Sequence, residues 1–546
     1  MFLGQEIVYQ IYPKSFKDTN GDGIGDLQGI TSKLGYLANL GVTVLWLNPI
    51  YVSPQVDNGY DICDYYNIDE HLGTLDDFRK LVAKAHELGL KVILDFVMNH
   101  TSDQHPWFQA FLKDKQSKYK DYYLIKQKDK RPNNWASFFG GSVWEKIDAD
   151  NYYFHLFDKK MPDLNWENQA VRQEMLKIAQ FWLKQGVDGF RLDAFIHLAK
   201  ADFAQNVVNV TKDKVHIAEE YYANLPRVQV YLKEFIDALR TQKPDIFIMG
   251  EGASADANLI TAYTKDSLCD TVVSFRLLPT TRQADDSEVL DFAALKEVCA
   301  TWLNRIENPQ AVTLYWSNHD MARILEKITL PGDDKLIAKM LATLMYLQKG
   351  TPCIYYGEEI GMRNLQLADI LDFEDAQLTE SYENELTQNN RQELLAKYSK
   401  QHKMAARGAM QWDDSVYSGF STVQVWKNGK HNDVNVAQQQ SDSQSLWQHY
   451  RQVLALKKND LFANGSYVLE DLNANLYAYK RKWQTKEAYV ICNLSNERQL
   501  CLLSKDYQQI LVSGEVRYLA KERQLSLGAF ASVVLLNETK EESTCN

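Results

Sequence analysis

The sequence predicts an α/β fold, a (β/α)8 TIM barrel with an inserted subdomain after strand 3 and a C-terminal all-β sandwich domain. Three observations carry the barrel. Eight short apolar, β-branched runs recur along the chain. Amphipathic helical patterns separate most of them, the alternation that folds as a parallel sheet with helices outside. Several runs also end in polar or charged residues, as strands do when their C-terminal ends carry a site.

The runs are 7–13 (IVYQIYP), 42–50, 91–100 (KVILDFVMNH), 187–195 (VDGFRLDAF), 246–252, 271–275, 311–320 (AVTLYWSNHD) and 352–361. Helical spacing of apolar residues marks 75–90, 168–186, 227–242 and 335–350. The gap after the third run is too long for a structureless loop, and 101–167 is rich in Trp, Tyr, Phe and Asn, so it is expected to be an inserted subdomain. Beyond the eighth run, 365–440 is polar, with a Gln-rich stretch near 435–445, and reads as an irregular excursion over the barrel rim. A helix is expected near 444–457, then alternating runs such as LYAYKRKW and EAYVICNL that predict the sandwich, then a disordered tail from about 538. The expected domains are the first part of the catalytic barrel (1–100), the inserted B subdomain (101–167), the second part of the barrel (168–458) and the C-terminal sandwich (459–546).

Composition narrows the function. The net charge is −12 and no basic block with interleaved aromatics occurs, which weighs against nucleic acid. MFLGQEIVYQIYPKSF has no basic n-region leading into an apolar run, so no signal peptide is expected, and no apolar stretch is long enough to span a bilayer. Seven scattered cysteines without a CxxC pair read as reduced thiols in the cytoplasm, not as a disulfide framework or a zinc site. The protein is therefore expected to be cytoplasmic, without membrane or nucleic-acid partners; a monomer or weak homo-oligomer is also expected.

Four carboxylates fall at the strand ends: Asp95, Asp193, Glu251 and Asp320. Glycoside hydrolysis needs two carboxyl groups flanking one bond, one ionised and one holding a proton for the leaving oxygen. Arg191, two residues before Asp193, shares its strand face and could keep that carboxylate ionised. His100 and His319 offer neutral donors for sugar hydroxyls. Salt-bridge scaffolding at the barrel mouth is the competing reading, and spacing alone does not decide between them. Separately, DTNGDGIGD (18–26) places oxygens at alternate positions, Asp18, Asn20, Asp22, the Ile24 carbonyl and Asp26, like the first part of a calcium loop. The twelfth position is Gly29 and not Glu, so it is no EF-hand, and a Gly/Asp-rich turn without metal is the alternative.

DFVMNH, MPDLNW, GFRLDAF, the Gly250-Glu251-Gly252 segment and WSNHD stand in the order and spacing of the α-amylase superfamily of glycoside hydrolases. NGDGIGDLQGI, DNGYDICDY, FFGGSVW, YYGEEIGM and AMQWDDS are similar to its oligo-1,6-glucosidase and α-glucosidase branch, so the resemblance covers essentially the whole chain. It implies Asp193 as nucleophile, Glu251 as general acid and then base, and Asp320 as the carboxylate that binds the 2- and 3-hydroxyls. It further implies Arg191, His100 and His319 around the first sugar, Tyr60 stacked beneath it, and Asp57 and Arg407 clamping the non-reducing end. Phe139 and Phe157 would be aromatic walls, Asp95 would support Arg191, and the 18–26 loop would hold a structural calcium ion. No cofactor enters the chemistry.

The implied enzyme is an exo-acting, retaining α-glucosidase on short α-glucooligosaccharides, with some transglucosylation. Ala194 follows the nucleophile; in this branch Val there goes with α-1,6 preference and Ala or Thr with α-1,4, so maltose-type substrates are expected and oligo-1,6-glucosidase is the alternative. Met161 stands where many relatives carry Gln, and KMAARGAMQW (403–412) replaces the usual RDNARTPMQW, putting Lys403 and Met404 where the Arg407 clamp would have Arg and Asp beside it. A phosphotrehalose hydrolase would need a cationic phosphate site that no local motif shows, and a sugar isomerase would differ in acceptor-side residues. A non-catalytic transporter subunit would carry a membrane anchor and usually lack part of the carboxylate triad, and neither feature is seen.

Overall fold

The computed structural model describes residues 4–538 apart from 129, 209, 212–213, 284–286, 388–389 and 428, so the expected tail and Cys545 lie outside the described residues. All eight expected strands form: β1 (Val8–Ile11), β2 (Val44–Leu47), β3 (Lys91–Val97), β4 (Gly189–Asp193), β5 (Phe247–Glu251), β6 (Thr271–Val273), β7 (Thr313–Leu314) and β8 (Thr351–Tyr355). Their order, β6-β5-β4-β3-β2-β1-β8-β7, is that of a nearly closed parallel barrel. Strands stop short of the apolar runs that announce them. β3 ends at Val97, so Asn99 and His100 belong to the turn beyond it, and β7 ends at Leu314, so His319 and Asp320 stand on a loop. Asp95, expected at the rim, lies inside β3 and is fully buried.

The chain divides into two compact units, Trp46–Glu87 with Lys91–Ser274, and Phe2–Leu45 with Leu88–Leu90 and Phe275–Asn546. In the first, Asp95 pairs with Arg191 and Val97 with Asp193 across β3 and β4, and Leu192 pairs with Gly250 across β4 and β5. That register brings Asp193 and Glu251 to the same level at the ends of neighbouring strands. Gly189 is required for it: a Cβ there would lie 1.9 Å from the Phe247 carbonyl oxygen. Residues between 101 and 167 form helix Pro106–Lys113 and an antiparallel sheet of Ile125–Gln127, Asn151–Phe154 and Trp144–Lys146. Their aromatic richness is largely core, as in Trp135, fully buried and stacked on Tyr221 at 5.3 Å.

In the second unit β1 pairs with β8 and β8 with β7, all parallel. Residues 365–407 depart from the expected irregular excursion. Helices Ala376–Glu385 and Arg391–Gln401 pack around Leu365, Leu367, Phe373, Tyr382, Leu394, Leu395, Tyr398 and Ala405. Their apolar residues are few, and a cap marks the start of the first: Asp375 accepts from the Leu378 amide. After helix Leu446–Lys457 the chain makes two antiparallel sheets, of five and three strands, that share one core including Tyr489, Ile491, Leu525, Leu527 and Val533. Among the described residues no helix is long and apolar enough to cross a membrane, and Cys63, Cys269, Cys299, Cys353, Cys492 and Cys501 are free thiols.

Candidate active site

One guanidinium organises the first unit's strand ends. Arg191, pointing the same way as Asp193 along β4, meets Asp193 Oδ1 and Asp95 Oδ1 through Nη1 at 2.6 Å each, and Glu251 Oε2 through Nη2 at 2.8 Å. Glu251 Oε2 also accepts the amide N–H of Ala194 at 2.9 Å, so it is tied to the peptide just after Asp193. Asp95 Oδ2 takes three further donors, Trp46 Nε1 (3.0 Å), Tyr60 Oη (2.9 Å) and Asn48 Nδ2 (3.3 Å). Burial pushes the Asp95 carboxyl above its ordinary range, against the pull of Arg191. Burial also works against the Arg191 cation, yet Asp95, Glu251 and Asp193 together hold it protonated well beyond its usual range. The Arg–Asp ion pair and the chemical reading of Asp193 are therefore both accommodated: Asp95 supports, while Asp193 and Glu251 stand at strand ends with side chains 11 % and 12 % exposed.

Ala194 turns the chain out of β4 in the left-handed region, φ 46°, and its methyl is buried. His100 is buried on the turn after β3; its ring lies 5.2 Å from Phe157, and Phe157 packs edge-on against the half-exposed Phe139 at 5.8 Å. Burial drops the His100 pKa to about 4, so it is a neutral imidazole at working pH. Its Nε2 is buried and has no protein partner among the described residues, the condition of a group kept for a ligand. Tyr60 is buried, with its hydroxyl bonded to Asp95 and Asn48. Asp57 sits half-buried on a tight loop wound around Asp61, which accepts the Val56 and Asp57 amides. Met161 is fully buried.

The second unit gathers the remaining residues. His319 Nδ1 lies 2.8 Å from Gln10 Nε2, and Nε2 lies 3.2 Å from Asp320 Oδ2, so with Gln10 donating the ring presents its N–H to Asp320. Both ring nitrogens of His319 thus have protein neighbours. Arg407, buried in the turn Lys403–Arg407, donates Nε to the His319 carbonyl at 2.9 Å and reaches Asp320 Oδ1 through Nη2 at 3.4 Å. The two replaced positions are used differently: Met404 Sδ lies 3.3 Å from Arg407 Nη1, and Lys403 Nζ lies 3.8 Å from Asp320 Oδ1. A thioether is a weak acceptor, so Arg407 loses the charge balance an Asp at 404 would give it.

In the 18–26 loop, Asp18 accepts the Gly21 and Gly23 amides and the Ser421 hydroxyl, while Asp26 caps helix Leu27–Leu40 and also binds Thr19. Asn20 and Asp22 bond each other. Among the described residues no group of three or more His, Cys, Asp or Glu side chains converges as a metal site. The sequence reading missed Trp46, Asn48 and Gln10, each a hydrogen-bonding side chain in or just after a barrel strand. A polar residue inside an apolar run, as in VYQI, is the signal that could have found Gln10. It also missed Lys200, whose ammonium meets Asp163 Oδ2 at 2.8 Å behind His100.

The chain is similar to known proteins. Residues 10–465 match the family described as the alpha-amylase catalytic domain. The chain is 36% identical over 519 residues to an oligo-1,6-glucosidase of Bacillus cereus, covering 92% of each, and 38% identical over 510 residues to a trehalose-6-phosphate hydrolase of Escherichia coli (strain K12), covering 90% of this chain and 91% of the other. Among solved structures it resembles a Family GH13_31 enzyme with TM-score 0.89 and 43% identity, over 98% of this chain and 100% of that one. A trehalose-6-phosphate hydrolase of Bacillus licheniformis gives TM-score 0.91 at 33% identity, with the same coverage. The barrel, the carboxylates that end its strands and these similarities agree: the chain belongs to the α-amylase family of glycoside hydrolases.

Proposed function

We propose that the protein is an exo-acting, retaining α-glucosidase that releases α-glucose from the non-reducing end of short α-glucooligosaccharides, α-1,4-linked ones favoured. The observation that carries this reading is Arg191 bridging Asp193 and Glu251. Two carboxylates bonded to adjacent nitrogens of one guanidinium suit the close pairing of retaining enzymes, about 5–5.5 Å, better than the wider gap that admits a water. Three carboxylates against one guanidinium leave excess negative charge in a buried cluster, which favours retaining a proton. Asp95 needs its lone pairs for four donors, and Glu251 Oε2 accepts from two. In this reading Glu251 carries the proton as general acid, while Arg191 keeps Asp193 ionised for attack on the anomeric carbon. Protonated Glu251 releases the leaving sugar; the same group, now a base, activates the water that hydrolyses the glucosyl ester on Asp193. A second sugar in place of that water gives transglucosylation.

In this reading Asp320 binds the sugar's 2- and 3-hydroxyls, steered by His319 and Arg407. His100 donates to the same ring, Tyr60 stacks against it, Asp57 and Arg407 hold the non-reducing end, and Phe157 and Phe139 form a wall. The linkage preference rests on the single methyl of Ala194. The α-1,6 reading has its own support in relatives named oligo-1,6-glucosidase, and a phosphorylated disaccharide in those named trehalose-6-phosphate hydrolase. Specificity constants measured in parallel on maltose, isomaltose and trehalose-6-phosphate decide among them. Maltose is expected to be best, and a preference for isomaltose or for the phosphorylated sugar would overturn the linkage assignment.

We also propose the domain division given above, a cytoplasmic location, and a structural calcium ion held through Asp18, Asn20, Asp22, the Ile24 carbonyl and Asp26. The all-oxygen donor set supports calcium. Binding would have to draw Asn20 and Asp22, now bonded to each other, onto the ion. Thermal melts with calcium and with a chelator test it: chelation should lower Tm in the wild type and leave an Asp22→Ala variant unmoved. A wild-type Tm indifferent to chelation would remove the site.

A further inference from the structure

Lys200 lies behind the His100 turn with its side chain 4 % exposed. It bonds Asp163 Oδ2 at 2.8 Å, Asn99 Oδ1 at 3.1 Å and the His197 carbonyl. Those acceptors come from three separated segments that surround two buried histidines, His100 and His197. His100 pairs with Asp163 as an isolated antiparallel bridge, His197 Nδ1 lies 2.9 Å from the Tyr222 carbonyl, and Phe157 packs against both rings. Asp163 is fully buried. A buried carboxylate beside two imidazoles, left alone, would draw a proton onto one of them.

We propose that Lys200 is a positioning residue for the hydrolysis: by neutralising Asp163 and gripping Asn99 and the His197 carbonyl, it presents His100 to the substrate as an uncharged imidazole. This rests on the function proposed above. Neutrality matters because the transition state of glycoside hydrolysis carries positive charge on the sugar. An imidazolium against that ring would repel it, whereas a neutral imidazole hydrogen-bonds without charge repulsion. Among the described groups, the charged neighbours acting on His100 are Asp163, which favours its protonation, and Lys200, which opposes it; the Tyr60 backbone also favours it. His197 feels Lys200, the Tyr222 backbone, Asp163 and His100. Burial is the largest influence on both rings, and both titrate at about 4.

The test is the pH profile of kcat/KM for wild type, Lys200→Met, Lys200→Arg, Asp163→Asn and the Lys200→Met/Asp163→Asn double variant, beside a histidine-ring NMR titration. Lys200→Met leaves Asp163 unopposed, so His100 should protonate about one pH unit or more higher. The acid limb of kcat/KM should rise with it, giving about a twofold loss near pH 5 for a one-unit rise and none near pH 7.5. Lys200→Arg and the charge-free double variant should return the limb to the wild-type position, and Asp163→Asn should not raise it. An unmoved His100 titration in Lys200→Met, or a double variant no better than Lys200→Met, would overturn the proposal. If Lys200→Met does not fold, Lys200→Gln, which keeps a polar side chain but removes the charge, makes the same comparison and should raise the His100 titration in the same way. The NMR titration needs no turnover, so it judges Lys200 even if none of the tested glucosides is hydrolysed.

Discussion

Ala194 shows how much one residue carries. Its backbone sits at φ 46°, a region that L-residues enter at a penalty of about 1–2 kcal/mol and that β-branched residues tolerate worse. Its amide holds Glu251, and it follows the carboxylate assigned as nucleophile. Ala194→Val should therefore do two things at once. It should move the ratio of specificity constants for maltose over isomaltose toward isomaltose by roughly tenfold, the scale of a methyl-sized change in a pocket. It should also lower stability by about 1–2 kcal/mol in denaturant melts. An unchanged ratio would detach linkage preference from this position. Arg191 and Asp193 were legible as a pair because a two-residue offset on a strand puts side chains on one face. Their link to Glu251 was not, because the strand register that levels Asp193 with Glu251 is set by packing such as the Gly189 approach.

At the scale of elements, the turn after β8 holds the second unit's most demanding chemistry. Glu358 and Glu359, in the 3-10 turn Glu358–Ile360, are both buried. Glu358 Oε1 accepts from the hydroxyls of Tyr346 and Tyr450, and Glu359 Oε1 from Tyr9 at 2.8 Å and Tyr36 at 2.6 Å. Burial raises Glu358 from about 4.5 to about 8. The folded state then binds a proton that the unfolded chain has lost between those values. Stability from this group is full below pH 4.5 and declines as the pH climbs to 8. Glu358→Gln should flatten that decline, matching wild type near pH 5 and exceeding it by a few kcal/mol near pH 8 in urea melts. A parallel pH dependence in both proteins would place the titration elsewhere. YYGEEIGM was readable as a motif, but nothing in two adjacent glutamates announces four tyrosine hydroxyls arriving from distant segments. The helices Ala376–Glu385 and Arg391–Gln401 were missed for a different reason: each is short, weakly amphipathic and buries only a few side chains.

Across the molecule, the alternation of β-branched runs and amphipathic helices located all eight strands, because a parallel strand buried on both faces must be apolar along its length. What periodicity could not give was where each strand stops, and that decides which residues reach the rim: Asp95 fell inside β3, while His100 and Asp320 moved onto turns. Strand ends that look alike in sequence thus divide into a fully buried support, Asp95, and carboxylates that keep a small exposed fraction, Asp193 and Glu251. The same division runs through the account of function, in which Asp95 and Lys200 hold charges in place while Asp193 and Glu251 make and break bonds. That two-step chemistry has a direct signature. The anomer of the glucose released from p-nitrophenyl α-glucoside, whose leaving group is not a sugar, followed by proton NMR before mutarotation, tests it. The account predicts α-glucose, formed by two inversions through Asp193; β-glucose as the first product would contradict it.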